Sequence, residues 1–247
     1  MTEDMRPVNL QDLMTFDCCR ENDCFNNCCQ DLNQALTPYD ALRLKQNLKI
    51  PSQVFLKTYT CLHFGPESGL PVIEFKPNPG RGYKCPFVTP EGCSVYEDRP
   101  GSCRMYPLAR AITRSRQTGE ITQYFALIEE PHCNGFGRQT GQTVTQWLKG
   151  QDVDEHNQEN DKLLELISLK NRILPGKLEG AQSDMFYLAL YDLDEFRAQI
   201  FEQSLLKEFT LPDELLRDIK TDDEALLNFG LNWVKYKLFG IKMIFGE

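Results

Sequence analysis

The chain has 247 residues, 41% of them apolar and 26% charged, with a formal net charge of -9. These totals suit a soluble globular protein built as one large domain or two small ones. The acidic balance argues against nonspecific nucleic-acid binding, and no apolar run is long enough to span a bilayer, so neither nucleic acid nor membrane is an expected partner.

The opening MTEDMRPVNLQD is polar and mildly acidic, without a basic start and an apolar stretch. It predicts no secretory signal and a cytoplasmic address. In a reducing compartment clustered thiols bind metal more often than they pair, so the ten cysteines read first as metal ligands. In a mature secreted fragment they would read as disulfides.

Five of the ten, Cys18, Cys19, Cys24, Cys28 and Cys29, fall within FDCCRENDCFNNCCQD. Cys24 and Cys28 share a face if that stretch is helical, and a tight loop also converges them. Adjacent side chains usually diverge. Cys28 and Cys29 therefore serve two irons of one cluster, or two separate metals, more easily than one ion. Downstream, Thr37 caps a helix that starts at Pro38, and Ser52 is placed as the cap of a second short helix, QVFLKTY. Glycines and prolines then become frequent, as expected for short strands and turns.

The second thiol group, Cys85, Cys93, Cys103 and Cys133, has spacings of eight, ten and thirty residues. Such ligands converge only in the folded domain, and metal binding then becomes part of the folding free energy. Structural zinc sites usually use close pairs, and Cys24/Cys28 is the one Cys-x3-Cys here, with no Cys-x2-Cys. Thiolates select both zinc and iron–sulfur, and the absent knuckle tilts the choice toward iron–sulfur.

ARAITRSRQTGEITQYFALIEE reads as a β-hairpin turning near Thr118-Gly119, with Arg110, Arg114 and Arg116 on a solvated face. From about Gln142 the signal is helical: TVTQWLKGQ, then a stripe of Leu163, Leu166, Ile167, Lys170 and Ile173. A second stripe runs through Phe186, Leu190, Leu193, Phe196, Ile200 and Ser204, and a third through Leu226, Phe229, Trp233 and Tyr236. The terminal LFGIKMIFG reads as part of a docked last helix. The expected architecture is α+β: a loop-rich, metal-bound cysteine module over 1–141, with short strands and a hairpin, and a helical region over 142–247 packed on it.

The cluster ending in Cys28-Cys29, the following LTPYDALRL, then CPF…GCSVYEDRPGSCRMYP and CNGFG, resemble the CxxCxxCC, or YkgJ-type, cysteine-cluster family. The resemblance covers about residues 16 to 137. That family is a zinc- or iron-chelating domain and includes the flagellin lysine N-methylases. It implies Cys24, Cys28, Cys29, Cys85, Cys93, Cys103 and Cys133 as ligands, with Cys19 as an eighth. Cys18 competes with Cys19 for that place, and Cys61 stands outside the pattern. Arg99, Pro100, Arg104 and Tyr106 fit the family's RP…CR-x-YP segment. Arg99 and Arg104 are the candidate cofactor-binding residues, Arg104 offsetting thiolate charge or holding an anion.

Lysine methylation would need S-adenosylmethionine and a protein substrate. No strand–GxGxxG–helix motif supports that donor, and the glycines of GFGRQTG are differently spaced. The radical-type CxxxCxxC pattern fails at Asp31. No G-x-S-x-G, P-loop or H-E-x-x-H motif occurs, and no general base is identifiable. His63 and His132 read as hydrogen-bonded structural residues and His156 as solvated. Glu129-Glu130 and DLDE near Asp192 read as surface charges. Three functions follow: an iron–sulfur protein with a redox or redox-supported role, a lysine N-methylase-like enzyme, or a structural-zinc interaction module.

Overall fold

The structure, a computed structural model, describes residues 5–30, 34–115, 117–137, 141–203, 205–207 and 209–243. Asp31, Arg116, Ser204, most of GFGRQTG beyond Gly137, and the end of LFGIKMIFG lie outside these residues. The elements are, in order, β1 (Met5–Val8), β2 (Leu13–Met14), β3 (Ala35–Leu36), α1 (Pro38–Leu48), α2 (Ser52–Tyr59), β4 (Thr60–Phe64) and β5 (Pro71–Phe75). There follow β6 (Val88–Thr89), β7 (Gly92–Cys93), α3 (Gly101–Met105), β8 (Leu108–Arg114), β9 (Ile121–Ile128), β10 (Gln142–Thr143) and α4 (Val144–Gly150). The last are α5 (Asp154–Ile173), α6 (Gly180–Leu190), α7 (Leu193–Phe201), α8 (Asp213–Thr221) and α9 (Asp223–Phe239). Small antiparallel sheets and many helices make the fold α+β.

The chain does not divide at 141/142. One compact unit comprises Met1–Leu32 and Asn78–Asn157, the other Asn33–Pro77 and Gln158–Glu247. The physical reason is that α1, α2 and the β3-β5-β4 sheet pack with α6, α7 and α9, although in sequence they lie between the two cysteine groups.

In this helical unit Thr37 caps α1 through a capping box with Asp40, followed by Pro38 at the first helical position. Ser52 is not a cap. It is the first residue of α2, after Pro51, and its hydroxyl donates to Asp192 Oδ1 at 2.7 Å. Its N–H donates to Asp194 Oδ2 at 2.6 Å, so a carboxylate from α7 satisfies an orphan donor of α2. DLDE is thus a structural device rather than surface charge: Asp194 and Asp223 also hold the buried Lys45, at 3.3 and 2.8 Å.

The Phe186–Ile200 stripe is split between α6 and α7 by Tyr191 and Asp192. Phe186, Leu190, Leu193 and Phe196 are nonetheless all buried, as are Leu226, Phe229 and Trp233 of α9. Gly230 lets α9 approach α6, since a Cβ there would strike the Ala189 carbonyl. Lys170, the one polar member of the α5 stripe, is 0% exposed. Its ammonium donates to the carbonyls of Ser68 and Gly176, and burial lowers its pKa.

The cysteine unit holds the predicted hairpin, β8 paired with β9 from Leu108↔Leu127 to Arg114↔Ile121, with β1 on the other edge of β9. β2 pairs with β10. The core gathers Val8, Met14, Phe16, Met105, Leu108, Phe125, Leu127, Val144 and Val153. α4 begins at a Thr143/Gln146 capping box. Among the described residues no helix is long and apolar enough to cross a membrane.

Candidate metal centre

The first thiol segment is aimed by a short antiparallel pairing of its own. Phe16 bridges Phe136, Asp17 N–H donates to Gly135 O at 2.9 Å, and Gly137 N–H donates to Thr15 O at 2.8 Å. This antiparallel register carries Cys18 to the Cys133–Asn134 segment. Phe16 anchors it, with Phe136 and Trp147 ring centroids at 5.0 and 5.3 Å. Gly135 is required there, because a Cβ would lie 2.6 Å from Phe16 Cε2 and 2.9 Å from Asp17 O. Gly135→Ala is expected to destabilise the cysteine unit by about 1–3 kcal/mol, the usual cost of overpacking. Urea unfolding followed by Trp147 fluorescence checks this; an unchanged midpoint would contradict it.

Residues 19–29 then form consecutive tight turns rather than a regular helix. Asn22, Phe25, Asn27 and Cys29 each donate N–H to the carbonyl three residues earlier, at 2.8–3.2 Å. Asn26 takes φ 68°, the left-handed region that asparagine tolerates. The loop is tied outward by Asn26 Nδ2 to Thr89 O (2.9 Å), Cys85 N–H to Cys29 O (2.8 Å) and Asn134 N–H to Cys24 Sγ (3.1 Å).

The second group is carried on a short hairpin and a helix. Cys93 on β7 pairs with Val88 on β6, and Val88 N–H donates to Cys85 O at 3.3 Å, bringing Cys85 and Cys93 to one end. Pro100 ends an extended approach and starts α3, which bears Cys103. Arg104, next on α3, is 7% exposed. Its guanidinium donates to His156 Nε2 and Gln151 O, both at 3.1 Å, and to Glu97 O. It locks α3 in place and has no donor directed to an anion in these contacts. His156 is therefore buried, 4% exposed, and not solvated as its charged surroundings in the sequence suggest. Arg99 stacks on Tyr96 at 3.8 Å and donates to Tyr96 O and Gln151 Oε1, while its charge acts on Cys93 and Cys103.

The thiols act on one another electrostatically. Cys18 is an exposed residue, yet partial desolvation of its sulfur, with repulsion from Cys28, Cys133, Cys24 and Cys19, pushes it up to about 11. Cys29 is raised by its hydrogen bond with Cys28, by burial, and by repulsion from Cys28, Cys85 and Cys103. Burial raises Cys85, with Cys93 adding to it. Cys28 and Cys29 stand sulfur to sulfur at 4.0 Å. Their hydrogen bond lowers Cys28 to about 7 and raises Cys29. Cys19, Cys24, Cys28 and Cys133 thus act on Cys18, Cys28, Cys85 and Cys103 act on Cys29, and Cys28 also acts on Cys93.

Cys19 turns instead to Glu21, whose hydrogen bond raises its pKa. The Phe16–Phe136 bridge fixes the register of the segment in which Cys18 and Cys19 are neighbours. Cys61 lies apart, in the helical unit on β4, against Glu74. His63 Nδ1 reaches Glu74 at 3.7 Å and His132 Nε2 reaches Glu130 at 3.6 Å, ion-pair rather than hydrogen-bond distances.

Among the described residues no three Cys, His, Asp or Glu side chains close to metal-binding geometry. The donor chemistry nevertheless fits a soft metal. The sulfurs crowd one another at an electrostatic cost to their thiolates, and a thiophilic cation relieves that cost. Residues 18–134 match the CxxCxxCC family, described as a "Putative zinc- or iron-chelating domain". Neither curated proteins nor solved structures give a match to the chain.

Proposed function

Since residues 18–134 carry a CxxCxxCC domain, we propose that the chain is a metal-binding protein whose thiolates hold iron as iron–sulfur, in a redox or redox-supporting role. Two four-thiolate sites are the arrangement we infer: Cys18, Cys24, Cys28 and Cys133 for one, Cys29, Cys85, Cys93 and Cys103 for the other. The observation that supports this is the tie of the turn loop to both later thiol segments, Asn134 N–H on Cys24 Sγ at 3.1 Å and Cys85 N–H on Cys29 O at 2.8 Å, with Cys28 and Cys29 sulfur to sulfur at 4.0 Å. Bound iron–sulfur supplies one-electron chemistry. The protein's own residues supply the sulfurs, the Asn134 N–H to Cys24 and the Arg99 charge beside Cys93 and Cys103. Cys18, Cys28 and Cys103 are exposed residues, which leaves the region open to a redox partner.

Structural zinc is the second reading, favoured by the four-sulfur sets in a loop-rich unit. Anaerobic purification separates the two. Brown protein with iron and acid-labile sulfide is the expected result; colourless protein with stoichiometric zinc would remove the redox role. Within either reading Cys18→Ser should lose metal and Cys19→Ser should retain it, as read by elemental analysis. The reverse outcome would return Cys19 to the ligand set.

A further inference from the structure

Tyr106 has a buried hydroxyl with no hydrogen-bond partner. Its ring is fixed in the core of the cysteine unit, edge-on to Phe16 at 5.9 Å, and Cys133 packs against the same cluster. An orphaned buried hydroxyl is costly, so an acceptor is needed in the working state. The Cys133 thiol and the Glu130 carboxylate are the side chains that act on the phenol electrostatically. Glu130 is about two-fifths exposed and lies 3.6 Å from His132, whereas Cys133 is partly buried against the core that holds the ring. A thiol accepts poorly, and a metal-bound thiolate accepts well.

We propose that Tyr106 is a positioning residue of the metal centre, donating its O–H to the Cys133 thiolate once that sulfur is a ligand, and so drawing electron density from one sulfur. The inference rests on the metal reading above. Together with the Asn134 N–H on Cys24, it gives the first four-thiolate set two hydrogen-bonded sulfurs, both managed by the segment beside Cys133.

The test uses the full chain loaded with cobalt(II). Tyr106→Phe keeps the ring and removes the donor. It should move the sulfur-to-cobalt charge-transfer band to lower energy and raise alkylation of metal-bound Cys133 about fivefold, the scale of one hydrogen bond. Glu130→Gln should leave both unchanged. If Tyr106→Phe matches the wild type in both, or Glu130→Gln reproduces its shifts, the inference is overturned while metal binding stands. If wild-type protein takes up no cobalt, the metal reading itself has failed. Should Tyr106→Phe not fold, 3-fluorotyrosine at position 106, a stronger donor of similar shape, must move the band to higher energy; no movement would sink the proposal.

Discussion

Cys133→Ser and Cys103→Ser are each expected to remove half of the bound metal, and the double variant all of it. The two thiols belong to different proposed sites, Cys133 acting on Cys18 and Cys103 on Cys29. Elemental analysis of anaerobically prepared protein reads this directly. If either single change strips everything, the eight sulfurs serve one centre; if neither removes metal, the ligand set is wrong. Cys61→Ser, altered in the other unit, should keep full occupancy. Because binding free energy is also folding free energy, each ligand change should lower the stability of the cysteine unit by several kcal/mol.

Arg104→Ala is expected to cost about 3–5 kcal/mol, the range for breaking a buried polar network. It strands the carbonyls of Glu97 and Gln151 and the His156 imidazole, and it opens space behind α3. Arg104→Lys keeps the charge but cannot fork to three acceptors, and should recover less than half of the loss. Urea denaturation in a Trp233→Phe background reports on Trp147 alone, which sits in this unit with its indole N–H on Met105 O at 3.3 Å. A loss of metal with no change in stability would instead make Arg104 a cofactor-binding residue.

The parts of the fold written in local pattern were legible. Thr37-Pro38, the Thr118-Gly119 hairpin and the apolar stripe of α9 each depend on neighbours within a few turns of chain. What could not be read depends on distant partners. β1 and β2 are too short to announce themselves, and they exist because β9 and β10 lie beside them. Ser52 looked like a cap until Asp192 and Asp194 arrived from far along the chain. His156 sits among charges in sequence, yet Arg104 draws it inward. At the site, residue type and spacing separated Cys61 from the group. The choice between Cys18 and Cys19 rests with the metal analysis of the two serine variants.

The cysteine unit is assembled from two separated stretches, with residues 33–77 belonging elsewhere. During synthesis Cys29 therefore leaves the ribosome 104 residues ahead of Cys133, its place in the chain being 29 against 133. At roughly 5–20 residues per second the early thiols wait on the order of 5–20 s for their partners. In that interval they are a nascent peptide with reactive sulfurs, open to oxidants and to the wrong ion. Faithful loading must come after translation has passed Cys133, or under the escort of a factor that shields the first five.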